Sequence, residues 1–251
     1  MVSAFLLPRL STCRHARDLN LVFNITNMAR LHPKLKDALH VVPADQPLHL
    51  LTRHSVRELA SNGFADYRLP LTEEGVRMAE AWGQELGRPV TAFYSSPVGR
   101  CIDTAIALRK GGLHAGIIAK ELPIEKCAEL VEPGCYVEDI NVVGPAFFKM
   151  GAVGFINHHL SEDMMGLLTP QAGQEKLIRY LQARDPAQGE LAVHVTHDTI
   201  LMAFVASLLG LKQVTESDWP WMMEGLWLWL DASHINWVWR GEQGRLALGY
   251  H

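Results

Sequence analysis

The sequence predicts an α/β protein: a three-layer α/β/α domain with a mostly parallel central sheet, an inserted lid-like segment and a C-terminal antiparallel hairpin. Three observations predict it. Short apolar runs alternate with amphipathic stretches from "PLHLLT" onward; three of those runs end on a cationic or imidazole residue where a helical pattern begins; and "LWLWL" and "INWVWR" close the chain around the turn "DASH". Length and composition agree, since 251 residues with 48% apolar and 20% charged side chains supply one sizeable core.

The first 45 residues differ from the remainder of the chain. They carry Arg9, Arg14, Arg17 and Arg30 with few acids and no clear periodicity, and Met28 offers an alternative start. They are expected to be an extension, either a mobile arm or an over-long start, ahead of a catalytic domain over 46–251. The first strand lies at Leu50–Thr52. "LTEEGVRMAEAWGQEL" then places Val76, Ala79, Gly83 and Leu86 on one helical face, with Thr72 as N-cap and two glutamates in the first turn. Val90–Tyr94 reads as a strand, followed by a helix with Ser96 as N-cap and Pro97 at its first position. "IEKCAELV" is a third strand-like piece that breaks at Pro133 and Gly134.

Between about 139 and 170 the chain is rich in Gly, Phe and Met without a clean period, and is expected to be an insertion over the domain. Phe147, Phe148, Met164 and Met165 are its candidates for a lid, with packing of the insertion as the alternative. Thr169 and Pro170 open the next helix, "ELAVHVT" is a strand, and "ILMAFVASLLGL" is a nearly all-apolar helix. The terminal tryptophans are read as packing residues of the edge hairpin.

Charge and cysteine usage exclude several classes of function. A net charge of −4 and a pI near 6.3 argue against a nucleic-acid or anionic-membrane partner. No apolar run reaches the roughly 18 to 20 residues a membrane helix needs. Cys13, Cys101, Cys127 and Cys135 form no CxxC pair, which indicates reduced thiols and a cytoplasmic location. His194 and His197 are three apart on a strand and so face opposite sides, which disfavours a metal pair. His158 and His159 fall in the insertion and are expected to be exposed, and Glu224 has no evident partner in sequence.

The three strand-to-helix junctions hold Arg53, His54 and Arg57; Arg100; and His197 with Asp198. In a parallel sheet all three lie at the carboxyl edge, where ligands of open α/β sheets bind. Clustered arginines and imidazoles at helix N-termini need an anion, and a phosphoryl group suits guanidinium forks. Among several positive charges an imidazole is pushed toward its neutral, nucleophilic form. His54 is therefore expected to attack phosphorus, with the arginines and His197 stabilising charge and a carboxylic acid protonating the leaving oxygen.

Taken in order, "LTRHSVRE", "LTEEGVRMAEAWGQEL", "YSSPVGRCIDTA" and "HVTHDTILMAF" resemble the histidine phosphatases, also called the phosphoglycerate mutase-like superfamily, across most of residues 48–210. The resemblance implies a three-layer fold, a phosphohistidine on His54, phosphate clamps at Arg53, Arg57 and Arg100, His197 as the second imidazole on the phosphoryl group, and no metal or organic cofactor. Its expected ligands are a small phosphorylated substrate and phosphate or other oxyanions. Two features depart from the family. Ser55 stands where glycine is common, so that a hydroxyl is offered near the phosphate. His197 is followed by Asp198, as in the acid-phosphatase branch, whereas "SSPVGRC" is closer to the mutase-like branch. The proton donor is accordingly Asp198 in one branch and a glutamate in the other, for which Glu129, Glu132 and Glu138 are available; Glu132 is ranked just behind Asp198. The expected activity is metal-independent phosphomonoester hydrolysis, with a phosphomutase or a catalytically inactive phospho-ligand-binding protein as alternatives.

Overall fold

β1 (Leu48–Arg53) is buried at every position before Arg53 because it lies inside the sheet with helices on both faces. The computed structural model describes residues 30–58, 68–132 and 134–248. The expectations for Arg9, Arg14, Arg17, Cys13, the start at Met28 and the break at Pro133 fall outside the described residues. The described part of the amino-terminal stretch packs against the domain. In α1 (Pro33–Asp37) Leu35 is buried, and its carbonyl accepts the indole N–H of Trp227 at 3.2 Å. Arg88 donates to the carbonyl of Pro43 at 2.6 Å.

The remaining elements are α2 (Glu73–Gly83), β2 (Val90–Ser95), α3 (Gly99–His114), β3 (Ile124–Lys126), α4 (Ile140–Ser161), α5 (Pro170–Gln182), β4 (Leu191–Thr196), α6 (Asp198–Leu209), β5 (Gly225–Leu230), β6 (His234–Trp239) and β7 (Glu242–Ala247). They form one seven-stranded sheet in the order β3-β2-β4-β1-β5-β6-β7. The first four of these strands are parallel, with Leu48 opposite Leu191 and Arg53 opposite Thr196. β5, β6 and β7 are antiparallel, so the expected C-terminal hairpin is present and continues into a third strand. Side chains alternate across the sheet: Leu48, Leu50 and Trp227 pack with Trp82 and Leu108 of α2 and α3, whereas Leu51, Leu226 and Leu228 pack with Leu177 and Leu201 of α5 and α6. Two helical layers thus cover one sheet.

Local sequence accounts for most boundaries. Thr72 caps α2 by accepting from the Gly75 N–H at 2.9 Å, and Thr169 caps α5 with Pro170 in its first turn. Three local expectations are corrected. Val76 is exposed, and the inner face of α2 runs through Gly75, Ala79, Trp82 and Gly83, because the helix presses its backbone onto β1's exit; a Cβ on Gly75 would sit 2.2 Å from the Val56 carbonyl oxygen. Ser96 is not an N-cap: α3 begins at Gly99, and the Ser96 hydroxyl turns to His197. The insertion is a helix, interrupted where Gly151 takes φ 68°. Its periodicity is hidden because both exposed Phe148 and buried Phe155 are apolar. With Lys149 its one Asp, Glu, Lys or Arg residue, this 22-residue helix reaches a mean hydropathy of 1.2 over an 18-residue window and is long and apolar enough to cross a membrane by length and composition, contrary to the run-length expectation. Val143, Phe155, Ile156 and His159 of the same helix are buried in the domain; His159, expected to be exposed, turns inward to bond the Leu168 carbonyl at 2.9 Å.

Candidate active site

The parallel pairing of β1, β2 and β4 brings the three junctions to one sheet edge. At the end of β1, the Arg53 N–H donates to the Glu224 carbonyl at 2.9 Å and the His54 N–H to the Thr196 carbonyl at 3.0 Å. At the end of β2, the Ser96 N–H donates to the Val195 carbonyl at 2.9 Å. These backbone bonds fix the starting points of His54, Arg100 and His197, and all three side chains are buried.

The side chains then interlock. Arg100 donates from Nε to His54 Nε2 at 2.9 Å, and its Nη2 lies 3.2 Å from His197 Nδ1. A guanidinium has only donors, so both of these ring nitrogens accept. His54 therefore carries its proton on Nδ1, which donates to the Ser55 carbonyl at 2.8 Å. The same logic puts the His197 proton on Nε2, which donates to Ser96 Oγ at 2.9 Å. The two rings stand edge to face with centroids 5.7 Å apart. Each imidazole has one nitrogen anchored to the scaffold and the other turned to Arg100.

Arg53 pairs with Asp198, Nη2 to Oδ2 at 2.6 Å, and donates from Nη1 to the Pro220 carbonyl at 2.6 Å. Asp198 also accepts from the Thr199 N–H at 2.9 Å and from the Trp219 indole at 3.2 Å. Glu132 lies close to His197, with Oε2 3.8 Å from His197 Nδ1, and accepts the Thr199 hydroxyl on Oε1. Arg57 bridges to Leu71 through its backbone, and its Nη1 donates to the Glu58 carbonyl at 2.9 Å. Its guanidinium is within electrostatic reach of Arg100, Arg53, Asp198 and Glu132.

The electrostatics separate the two carboxylates. Burial pushes Glu132 up to about 7, and the negative charge of Asp198 adds to the rise. Burial would raise Asp198 as well, but the adjoining Arg53 guanidinium, with His54, Trp219 and His197, overrides it and holds Asp198 well below the usual carboxylate range. Burial, Arg53, His197 and Arg100 together hold His54 well below the ordinary histidine value. Burial and Arg100 push His197 down to about 3. At neutral pH the site therefore combines two neutral imidazoles, an ionised Asp198 and a Glu132 close to its midpoint.

Thr104, beside the site, is not singled out by the sequence. Thr104 Oγ1 accepts the Ser55 N–H at 3.0 Å and donates to the Arg100 carbonyl at 2.7 Å, tying β1's exit to α3. A hydroxyl one helical turn after Arg100 was the available clue. The Ser55 hydroxyl faces away from the imidazoles and donates to the Gly75 carbonyl at 2.7 Å, so it braces α2 and is not offered to the site. His194 is directed elsewhere, to His49 at 3.0 Å and Tyr180 at 3.1 Å. Of the three candidate glutamates, Glu132 is the one that reaches an imidazole. Glu138 stands instead at the foot of α4, where its N–H bonds the Gly166 carbonyl at 2.8 Å, and Glu129 lies in the short turn Ala128–Leu130.

Residues 49–138 match the family model of the histidine phosphatase superfamily, branch 1. Over this stretch the chain is similar to histidine phosphatases. The stretch contains Arg53, His54, Arg57, Arg100 and Glu132 and ends before His197 and Asp198, which the sheet topology delivers. No curated protein sequence matches the chain. Among solved structures, the chain is similar to mycobacterial hydrolase 1, with 21% identity, a TM-score of 0.50, and coverage of 77% of this chain and 98% of that one. It is also similar to phosphoglycerate mutase from Bacillus anthracis str. Sterne, with 16% identity, a TM-score of 0.49, and coverage of 82% and 94%. A third is a mutant phosphoserine phosphatase from Entamoeba histolytica in complex with phosphoserine, with 16% identity, a TM-score of 0.49, and coverage of 80% and 95%. The histidine phosphatase match supports phosphoryl transfer, by a phosphatase or a mutase, as the chemistry of this site.

Proposed function

We propose that this protein is a metal-independent phosphomonoesterase that works through a phosphohistidine on His54. The observation that carries the reading is the tautomer of His54: Nδ1–H is fixed on the Ser55 carbonyl, which leaves the Nε2 lone pair on the side of Arg100 and His197. In the first step that lone pair forms the N–P bond as the P–O bond to the alcohol breaks. The departing alkoxide takes the Glu132 proton. In the second step the Glu132 carboxylate takes a proton from water, the resulting oxygen bonds to phosphorus, and the N–P electrons return to His54 Nε2.

Arg53, Arg57 and Arg100 hold the phosphoryl oxygens, with Arg100 swinging its Nε from His54 to an oxygen when the anion binds. A bound dianion raises the proton affinity of His197, whose Nδ1 then donates to a third oxygen. Between the two candidate acids the electrostatics support Glu132. Asp198 is already engaged by Arg53, Thr199 and Trp219 and stays ionised, which suits a residue that orients a clamp. The supported division of labour is therefore Glu132 as donor and Asp198 as anchor.

The test is hydrolysis of p-nitrophenyl phosphate by the wild type and His54→Ala in the presence of a chelator, with labelled acceptor alcohols included to detect transfer. Turnover that survives chelation and is lost with His54 supports the reading. Faster transfer to an acceptor than to water would make the protein a mutase, and phosphate binding without turnover would make it a binding protein.

A further inference from the structure

The segment Ser217–Glu224, between α6 and β5, supplies the Pro220 carbonyl that accepts from Arg53 and the Trp219 indole that donates to Asp198. It is short of regular structure, and Arg240 reaches it at four points, beside the Thr52 hydroxyl on its Met223 and Glu224 carbonyls. Arg240 donates to the Ser217 carbonyl at 2.9 Å and to the Trp219 carbonyl at 3.0 Å, and forms a two-point pair with Glu224, at 2.7 and 3.0 Å. The Glu224 carboxylate is 2% exposed, so this fork is a charge-assisted pair in a buried setting. Its second oxygen also accepts the Trp221 N–H at 2.7 Å, closing the segment on itself.

Two backbone observations indicate that the arrangement is imposed on the chain. Arg240 takes φ 48° and Gly241 φ 85° in the two-residue turn between β6 and β7, a conformation for which Asn or Gly is the ordinary choice at the first position. Met223, buried, takes φ 62°; its N–H faces the His54 carbonyl at 3.3 Å and its carbonyl accepts the Thr52 hydroxyl at 3.0 Å. Non-glycine residues in the left-handed region are strained and persist where the surroundings enforce them. Both lie on the path that connects the C-terminal meander to Arg53 and His54.

We propose that Arg240 is a positioning residue, which through the Glu224 carboxylate and the Ser217 and Trp219 carbonyls holds Pro220 and Trp219 where they aim Arg53 at the phosphoryl group. Arg240 itself does not touch the substrate. The inference rests on the reading of Arg53 as a phosphate clamp, and gives the C-terminal meander a share in building the pocket.

The experiment is a double-mutant cycle on inorganic phosphate binding, read by calorimetry with the full chain, using Arg53→Ala, Arg240→Ala and the double variant, with KM and kcat for p-nitrophenyl phosphate in parallel. If Arg240 acts through Arg53, Arg240→Ala weakens phosphate roughly tenfold in the wild-type background and raises KM more than it lowers kcat, but changes binding less than about twofold once Arg53 is gone. Equal losses in both backgrounds would overturn the proposal, as would full activity in Arg240→Ala. Should that variant not fold, Arg240→Lys, which keeps the charge and loses the fork, replaces it in the same cycle with the same criteria. Absence of phosphate binding in the wild type would instead remove the phosphatase reading, so that the wild type reports on the function and the cycle on Arg240.

Discussion

The Nε–H of Arg100 lies 2.9 Å from Nε2 of His54, on the lone pair that the proposed chemistry uses. The same guanidinium reaches His197 at 3.2 Å, so a single side chain spans both imidazoles. Arg100→Ala is expected to lower kcat/KM for an aryl phosphate by about 10²- to 10³-fold, the usual range for losing one donor to developing charge. Arg100→Lys should recover only part of it, because an ammonium cannot span both positions. Steady-state kinetics of the two variants check this.

The proton inventory predicts a pH profile. In the proposed mechanism activity needs His54 neutral and Glu132 protonated. His54 is held well below its ordinary value by burial and by Arg53, and Glu132 is raised to about 7 by burial and by Asp198. The rate at saturating substrate is therefore expected to be flat through mildly acidic pH and to fall toward tenfold per unit above about 7. A profile that rises from pH 7 to 9 would contradict it.

Glu132→Gln should abolish that alkaline limb and lower kcat by about 10²-fold or more for an alkyl phosphate, with a smaller loss for p-nitrophenyl phosphate, whose leaving group needs no proton. Asp198→Asn should keep the limb but move it to lower pH, because the charge that helps raise Glu132 is gone. Its main effect is expected on KM, since it releases Arg53. Comparing both substrates across pH in the two variants separates the carboxylates.

Asp198→Asn should also lower stability. Arg53 is 12% exposed, and loses the partner that sits 2.6 Å from its Nη2. A partly buried pair lies between the surface and fully buried cases, giving a loss of about 2 kcal/mol.

Ser55→Ala removes the hydroxyl bond to the Gly75 carbonyl and is expected to cost about 1 kcal/mol of stability in denaturant unfolding while leaving kcat within about threefold. A large loss of kcat with unchanged stability would place the hydroxyl in the chemistry instead.

Much of the fold and site is legible in sequence for a physical reason. The alternation of apolar strands with capped helices sets the sheet, and parallel strands oblige residues at their carboxyl ends to meet, which places Arg53, His54, Arg100 and His197 together. What cannot be read depends on distant pairings. Glu132 and Asp198 look alike in a string, and only Arg53 against one and burial around the other separate them. Glu224 has no visible partner in sequence because Arg240 lies 16 residues away, across two strands and the turn between them. Ser55 resembles a phosphate contact as long as helix α2 behind it is unknown, and α4 hides its helical period because its exposed face is also apolar.

The central claim is tested most directly by trapping the intermediate. A phosphomonoester labelled on phosphorus is mixed rapidly with the wild type, quenched in alkaline detergent to preserve an N–P bond, and the labelled peptide is sequenced by mass spectrometry. The account predicts label on His54, absent in His54→Ala and accumulating when water attack is slowed in Glu132→Gln. Turnover with no label on His54 at any quench time, or label on another residue, would contradict it.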